Sequence, residues 1–388
     1  MGSGLGGLDT EAETCKRMIT ANRNIPKITY LLRSGRRERL AETGQGPTEF
    51  FYGYKQLLAR GVDVSILEDS DVGMAPPLPL VSRLANKLSP FLGGLPVGMA
   101  LSLLTKRGCR KLDGAGYVVV TTNGMGMALA IAKALGQTDT PVLLLAMGLL
   151  SMNPTPLQIR LVSALARHIH IACISRSEQA FLQRLLPAQP IHYIPFGVDI
   201  DFWRPAPPTA DQHSYALAIG NDAHRDWATL VTAWEPDLPP LKLITSLPVP
   251  PAPPNVEIIR GDWRTRILDD VKIRRLYQGA NFVVIPVRDT IQPSGQSVCL
   301  QAMACGRPVI LSDIAGLWDR QLLRDGENVL LVRSGAAVDL NRAVRRLSSD
   351  RELQDRIGAG GCRLVEEHFN ASAMANALAR LAQELLRS

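Results

Sequence analysis

Residues Phe282–Asp313 read FVVIPVRDTIQPSGQSVCLQAMACGRPVILSD. An apolar run, Phe282–Pro286, has the composition of a buried strand. A polar loop follows and ends in Ser294-Gly295-Gln296-Ser297. A helix is then predicted over Ser297–Cys305, with Val298, Leu300, Ala302 and Met303 as its apolar residues and Gly306 as its stop. Pro308–Leu311 resumes as a strand. Strand, glycine turn, helix, strand is the unit of a parallel α/β sheet. The turn is also an anion site in outline. The first N–H groups of a helix have no intrahelical partner, and its dipole is positive there. Gly295 lets a ligand approach the backbone. Ser297 can cap the helix or donate to an oxygen.

The same alternation extends to both sides. Strands are expected at Ile28–Leu32, Val62–Leu67, Tyr117–Thr121, Pro141–Ala146, Ile169–Ile174 and His192–Pro195. A basic loop, Arg33–Arg39, follows the first. Pro47 or Thr48 then opens one helix carrying Phe50, Phe51, Leu57 and Leu58. Asn123-Gly124-Met125-Gly126 reads as a turn before an alanine-rich helix. After the linker-like stretch 205–214, strands return at Tyr215–Ile219, Leu241–Thr245, Val256–Ile259 and Val329–Val332. Helices are expected around Trp227–Trp234 and Ile267–Tyr277, and three more close the chain at about 336–348, 350–367 and 371–386. The fold class is therefore α/β, with two Rossmann-like domains facing across a cleft. The expected division is a lead-in at 1–25, a first domain at 26–204 and a second at 205–367. The segment 368–388 is expected to pack back on the first.

Bulk properties agree with that division. At 388 residues the chain exceeds the ~100–200 typical of one domain. With 46% hydrophobic and 20% charged residues it can bury ample core without disulfides or metal. The formal net charge of +7 suits a phosphate-bearing ligand or an anionic membrane surface. Six scattered cysteines form neither a C-x-x-C pair nor a Cys/His cluster, which points to a reducing compartment. No secretory leader and no spanning segment is expected, so the cytoplasm is the expected location. The basic-apolar stretch 80–111 reads either as a peripheral contact with anionic membrane or as a helical hairpin with a solvated basic face.

The quoted segment resembles the donor-site motif of GT-B glycosyltransferases of the retaining family 4, through Gln301-Ala302-Met303-Ala304-Cys305-Gly306-Arg307-Pro308-Val309. Further matches follow in chain order: Ile194-Pro195-Phe196-Gly197-Val198-Asp199, Ile219-Gly220 with Arg225-Asp226-Trp227, Asp325-Gly326-Glu327-Asn328, and Glu366-Glu367-His368-Phe369. The resemblance covers residues 190–388. It implies transfer of a sugar from a nucleotide-diphosphate sugar to a small-molecule, glycan or lipid acceptor, with retention and without metal, cofactor or nucleic acid. It further implies that Gly220, Asn221, Arg225, Ser294, Gly295, Gln296, Ser297 and Gln301 bind the donor. Arg225 would neutralise the diphosphate and Gln301 would face the ribose. Gly46, Pro47 and Thr48 stand where the family places an acceptor loop, and a plain helix-start turn reads the same; Asn123 either faces the acceptor side of the cleft or belongs to a tight structural turn.

The departures are specific. The family usually carries two glutamates eight positions apart. Here Gln301 replaces the second, Pro293 stands at the first, and Gln292 is its nearest analogue, assigned with Arg225 to catalysis. Ala146-Met147-Gly148 stands where a His-Gly pair is usual, and Asn221 where Arg is usual. The alternative is thus a GT-B protein that binds a nucleotide-sugar or a protein partner without full catalytic competence. Asp289 and His224 are loop residues that could reach the cleft or solvent. Asp199-Ile200-Asp201 resembles a D-x-D metal motif only superficially, and His168 and His170 have no third ligand nearby.

Overall fold

Ile28–Leu32 (β1), Tyr117–Val120 (β3) and Val142–Ala146 (β4) are buried at every residue, as strands of a sheet covered on both faces must be. The computed structural model describes residues 25–42, 46–72, 109–206, 215–261 and 268–387. β1, β3 and β4 join Val64–Glu68 (β2), His170–Cys173 (β5) and Ile191–Tyr193 (β6) in a parallel sheet of order β2-β1-β3-β4-β5-β6. A second parallel sheet comprises Tyr215–Ile219 (β7), Leu241–Ile244 (β8), Val256–Ile259 (β9), Ala280–Ile285 (β10), Val309–Asp313 (β11) and Leu330–Arg333 (β12), in the order β12-β11-β10-β7-β8-β9. The order reverses between β7 and β10, and ligands of open α/β sheets lie at such a switch point, beyond the strand C-termini.

Four features differ from the sequence expectations. The basic loop after β1 is partly helical, over Arg36–Glu42. The single helix expected after Thr48 is two pieces, a 3-10 turn at Glu49–Phe51 and a helix at Tyr54–Ala59. Between them Tyr52 and Gly53 are left-handed, and a Cβ on Gly53 would meet the Ala375 Cα at 2.9 Å. Asn123–Gly126 is the first turn of a helix, because the Thr122 hydroxyl caps the Met125 N–H. Ser297 does not cap its helix: Gly295 is the N-cap and the helix spans Gln296–Ala304.

The inner faces of both sheets share one apolar cluster, with Trp203, Trp318 and Phe369 fully buried in it. The two units also meet through polar contacts. The Arg176 N–H donates to the Trp318 carbonyl at 2.8 Å, and the Ser177 hydroxyl to the Leu317 carbonyl at 2.6 Å. The chain returns to the first unit at its end. Val198 N–H donates to Phe369 O at 2.8 Å and Ala371 N–H to Val198 O at 2.9 Å, and the helix Ala371–Leu385 packs on Tyr54–Ala59. The lead-in through residue 24, the linker at 207–214 and all but 109–111 of the basic stretch lie outside the described residues. No helix among the described residues is long and apolar enough to cross a membrane.

Candidate functional site

β7 ends at Ile219, and the chain turns through Gly220 into Asn221–Arg225. Arg225 is held from the backbone by an antiparallel bridge to Val287, with Asp226 N–H on Pro286 O at 3.0 Å and Arg288 N–H on His224 O at 2.8 Å. That pairing sends its side chain inward, where the residue is 4% exposed. Two glycines make the space. A Cβ on Gly220 would lie 2.1 Å from Arg225 Nε, and one on Gly295 3.2 Å from its Nη1. Gly295 itself has φ +82°, a conformation that favours glycine.

The guanidinium is incompletely satisfied. Asp222 Oδ2 forms an ion pair with Nε at 2.8 Å, and Nη1 finds no hydrogen-bond partner among the described residues. Burial lowers the Arg225 pKa, while the Asp222 carboxylate opposes that shift. Beside it the helix Gln296–Ala304 begins. Cys299 N–H returns to Gly295 O and Gln296 N–H to Pro293 O, whereas the Ser297 and Val298 N–H groups have no protein acceptor among the described residues. A buried cation with spare donors and a helix N-terminus thus share one wall of a cleft of about 560 Å³.

The expected donor residues and Gln292, assigned to catalysis, gather at this cleft. Gly220, Asn221, Arg225, Gln292 and Ser294–Ser297, with Gln301, all line the cleft. Several have their polar atoms engaged by protein. The Ser294 hydroxyl donates to Asp222. Asn221 Oδ1 accepts from the Ser246 N–H and hydroxyl and from Thr245, and its amide donates to Gly261 O at 3.4 Å, so it ties β7 to β8. Gln296 Nε2 donates to Ile174 O at 3.1 Å, across to the first unit. Gln292 sits against Gly148, where a Cβ would meet its Oε1 at 3.0 Å.

The residues expected on the acceptor side stand apart from the cleft lining. The Thr48 N–H donates to Asp199 Oδ2 at 3.1 Å and its hydroxyl accepts from Gln56, which fixes the Gly46-Pro47-Thr48 turn to the unit junction. Asp199 also accepts from the Phe202 N–H, so it is a turn-forming carboxylate. Asn123 donates to the Met147 and Gly148 carbonyls and accepts the Met147 N–H. It thereby shapes the loop after β4. Asp289 accepts the Ala315 N–H at 2.8 Å. The first unit instead presents Arg36, Arg39, Phe50, Tyr52 and Met147 to the cleft. Arg39 pairs with Asp270 of the second unit at 2.7 Å. No group of three or more His, Cys, Asp or Glu among the described residues is placed to hold a metal.

Two buried glutamates escaped the sequence reading. Glu49 is fully buried. Its Oε1 accepts from Trp203 Nε1 at 2.7 Å and from Gln301 Nε2 at 2.9 Å, and Oε2 has no partner among the described residues. Burial pushes its carboxyl up to about 7, against the lowering effect of those hydrogen bonds. Glu178, 1% exposed, accepts the Gly148 and Leu149 N–H groups at 2.7 and 3.0 Å, and burial raises it from 4.5 to about 7. A raised carboxyl favours folding most below its unfolded pKa, and that contribution is lost as pH rises through the folded value. The loss is about 3 kcal/mol between pH 4.5 and 7. Glu178→Gln keeps the acceptor without the titration, so urea unfolding at pH 5 and pH 8 should show a smaller pH loss than in the parent chain. An unchanged pH slope would contradict the assignment.

The Glycosyl transferases group 1 family model matches residues 247–350. The chain is 33% identical over 111 residues to the D-inositol 3-phosphate glycosyltransferase of Streptomyces bingchenggensis, covering 29% of this chain and 23% of that protein. It is 26% identical over 211 residues to the alpha-maltose-1-phosphate synthase of Mycolicibacterium smegmatis, covering 46% and 53%. The chain therefore matches about half or less of each relative's length. Among solved structures, sucrose-phosphate synthase from Thermosynechococcus elongatus superposes with a TM-score of 0.67 at 18% identity, over 93% of this chain and 99% of that one. Anabaena Alr3699/HepE in complex with UDP and glucose gives 0.61 at 14% identity, over 94% and 100%. The chain has the two-unit GT-B fold of these structures, and its residues 247–350 match the Glycosyl transferases group 1 family model.

Proposed function

We propose that this chain is a glycosyltransferase that moves a sugar from a nucleoside-diphosphate sugar on the second unit to an acceptor on the first. One observation carries the reading. At the switch point of the second sheet, a buried Arg225 with unmet N–H groups faces the same cleft as a helix N-terminus with unmet N–H groups. Both are complementary to a diphosphate. The departing diphosphate would be stabilised by preorganised donors, and the acceptor would be aligned against Phe50, Tyr52 and the Arg36–Arg39 face. The resemblance to retaining family 4 supports retention of anomeric configuration, by a front-face route in which the leaving phosphate takes the acceptor proton. The diphosphate charge is met by Arg225 and the helix, without a metal. The related proteins named above are an inositol 3-phosphate glycosyltransferase, a maltose-1-phosphate synthase and a sucrose-phosphate synthase, with HepE in complex with UDP and glucose, so they support the donor class more than any one acceptor.

The test is a thermal-shift screen against UDP-, GDP- and ADP-sugars, followed by nucleotide release in the presence of acceptor extracts. One donor is expected to raise Tm; at a hundredfold excess over Kd the stabilisation is about 2.7 kcal/mol. If none does, the reading fails. A second reading, donor binding without transfer, is favoured by Met147 on the cleft wall and by the engagement of both Gln301 amide atoms. It is selected if a donor binds and no acceptor triggers release.

A further inference from the structure

Glu49 belongs to the first unit, yet its closest polar contact across the cleft is Gln301, on the helix whose N-terminus forms the anion site. The geometry of the pair is determined by its neighbours. Trp203 Nε1 can only donate, so the oxygen it shares is an acceptor, and Gln301 turns its NH₂ toward that oxygen at 2.9 Å. On the other side of the amide, the Tyr277 hydroxyl donates to Gln301 Oε1 at 3.2 Å. One amide N–H and one lone pair of Gln301 then remain for the cleft it lines. Gln301 lies five residues beyond Gln296, about 7.5 Å along the helix axis from the anion site. That offset suits the ribose of a nucleoside diphosphate whose phosphates sit at Arg225.

We propose that Glu49 is a positioning residue of the donor site, orienting Gln301 from across the cleft so that its free N–H and lone pair meet the nucleoside ribose. The proposal rests on the donor reading above and deepens it. It also accounts for glutamine at 301. A carboxylate there would oppose the Glu49 carboxylate at 2.9 Å, whereas an amide donates to it. The nucleoside end of the site is complete only when both units are in place.

Calorimetric titration of the full chain with UDP, GDP, ADP and inorganic pyrophosphate tests this. Glu49→Leu keeps the bulk and removes the acceptor. It should weaken the preferred nucleoside diphosphate ~10-fold while changing pyrophosphate less than about twofold, since only the nucleoside end is disturbed. Glu49→Gln retains an acceptor oxygen and should recover nucleoside-diphosphate binding to within about threefold of the parent. Equal losses for both probes, or no loss for either, would overturn the role. Should Glu49→Leu fail to fold, Gln301→Glu is expected to weaken nucleoside-diphosphate binding and the exchange E49Q/Q301E to restore it. An exchange no better than Gln301→Glu alone would overturn the proposal. If the parent chain binds none of the four probes, the donor reading fails and takes this proposal with it. If it binds them and the two ends respond alike, only the Glu49 role falls.

Discussion

Arg225→Ala is expected to weaken nucleoside-diphosphate binding by about 100-fold or more while leaving binding of the bare nucleoside almost unchanged. The contrast arises because the guanidinium is desolvated before any ligand arrives. Asp222, 2.8 Å from Nε, offsets part of that desolvation, but Nη1 has no hydrogen-bond partner among the described residues and is met in full only when a further anion enters. Removing the guanidinium also costs the Asp222 ion pair and leaves a cavity against Gly220 and Gly295, although Asp222 keeps the Ser294 hydroxyl and the His224 N–H as donors. The variant should therefore lose some Tm without ligand and lose far more of the stabilisation that the nucleoside diphosphate gives. Titration calorimetry with paired nucleoside and nucleoside diphosphate checks this. Equal losses for the two ligands would remove Arg225 from the diphosphate site.

Gly197→Ala is expected to have the largest effect on stability. An added Cβ would stand 2.1 Å from the Asn370 carbonyl oxygen and 2.5 Å from its carbon, which is backbone that cannot rotate away. The approach is this close because residues 197–198 pair with 369–371 as a short parallel bridge. Separating them undocks the helix Ala371–Leu385, whose Met374, Ala375, Leu378 and Ala382 are buried. A cost of about 3 kcal/mol or more is expected. Denaturant unfolding should show it directly, and limited proteolysis should release the C-terminal helix early. An unfolding curve matching the parent's would mean that 369–371 yields easily, contrary to the packing described.

Most of the sheet framework was legible because parallel strands buried on both faces leave continuous apolar runs. Ile28–Leu32 and Phe282–Pro286 need no partner to be read. The glycine turn before Gln296 was legible for a similar reason, since its residue types serve the backbone directly. The helix Pro156–Ala166 carries readable signals too, a Thr155–Gln158 capping box and Pro at its start, although its apolar period is weak and the reading passed over it. Side-chain roles across the cleft were a different matter. Asn221 looks like a donor residue in sequence, but the close ends of β7 and β8 use its amide internally. Asn123 serves the β4 loop for the same kind of reason. Glu49 gives no local signal: it sits beside Phe50 and Phe51, and only the tertiary approach of Trp203 and Gln301 makes it a buried hydrogen-bond hub. Contacts between residues 252 positions apart are set by docking of the two units, which no window of sequence contains.

The central claim is that a nucleoside diphosphate binds at the switch point of the second sheet, its phosphates held by Arg225 and the start of the helix Gln296–Ala304. The most direct measurement is a crystal structure of the chain soaked with the nucleoside diphosphate that raises Tm most. The diphosphate oxygens are expected within about 2.7–3.2 Å of Arg225 Nη1 and of the Ser297 or Val298 N–H groups. Phosphates lodged instead against Arg36 and Arg39 of the first unit, with Arg225 untouched, would contradict it.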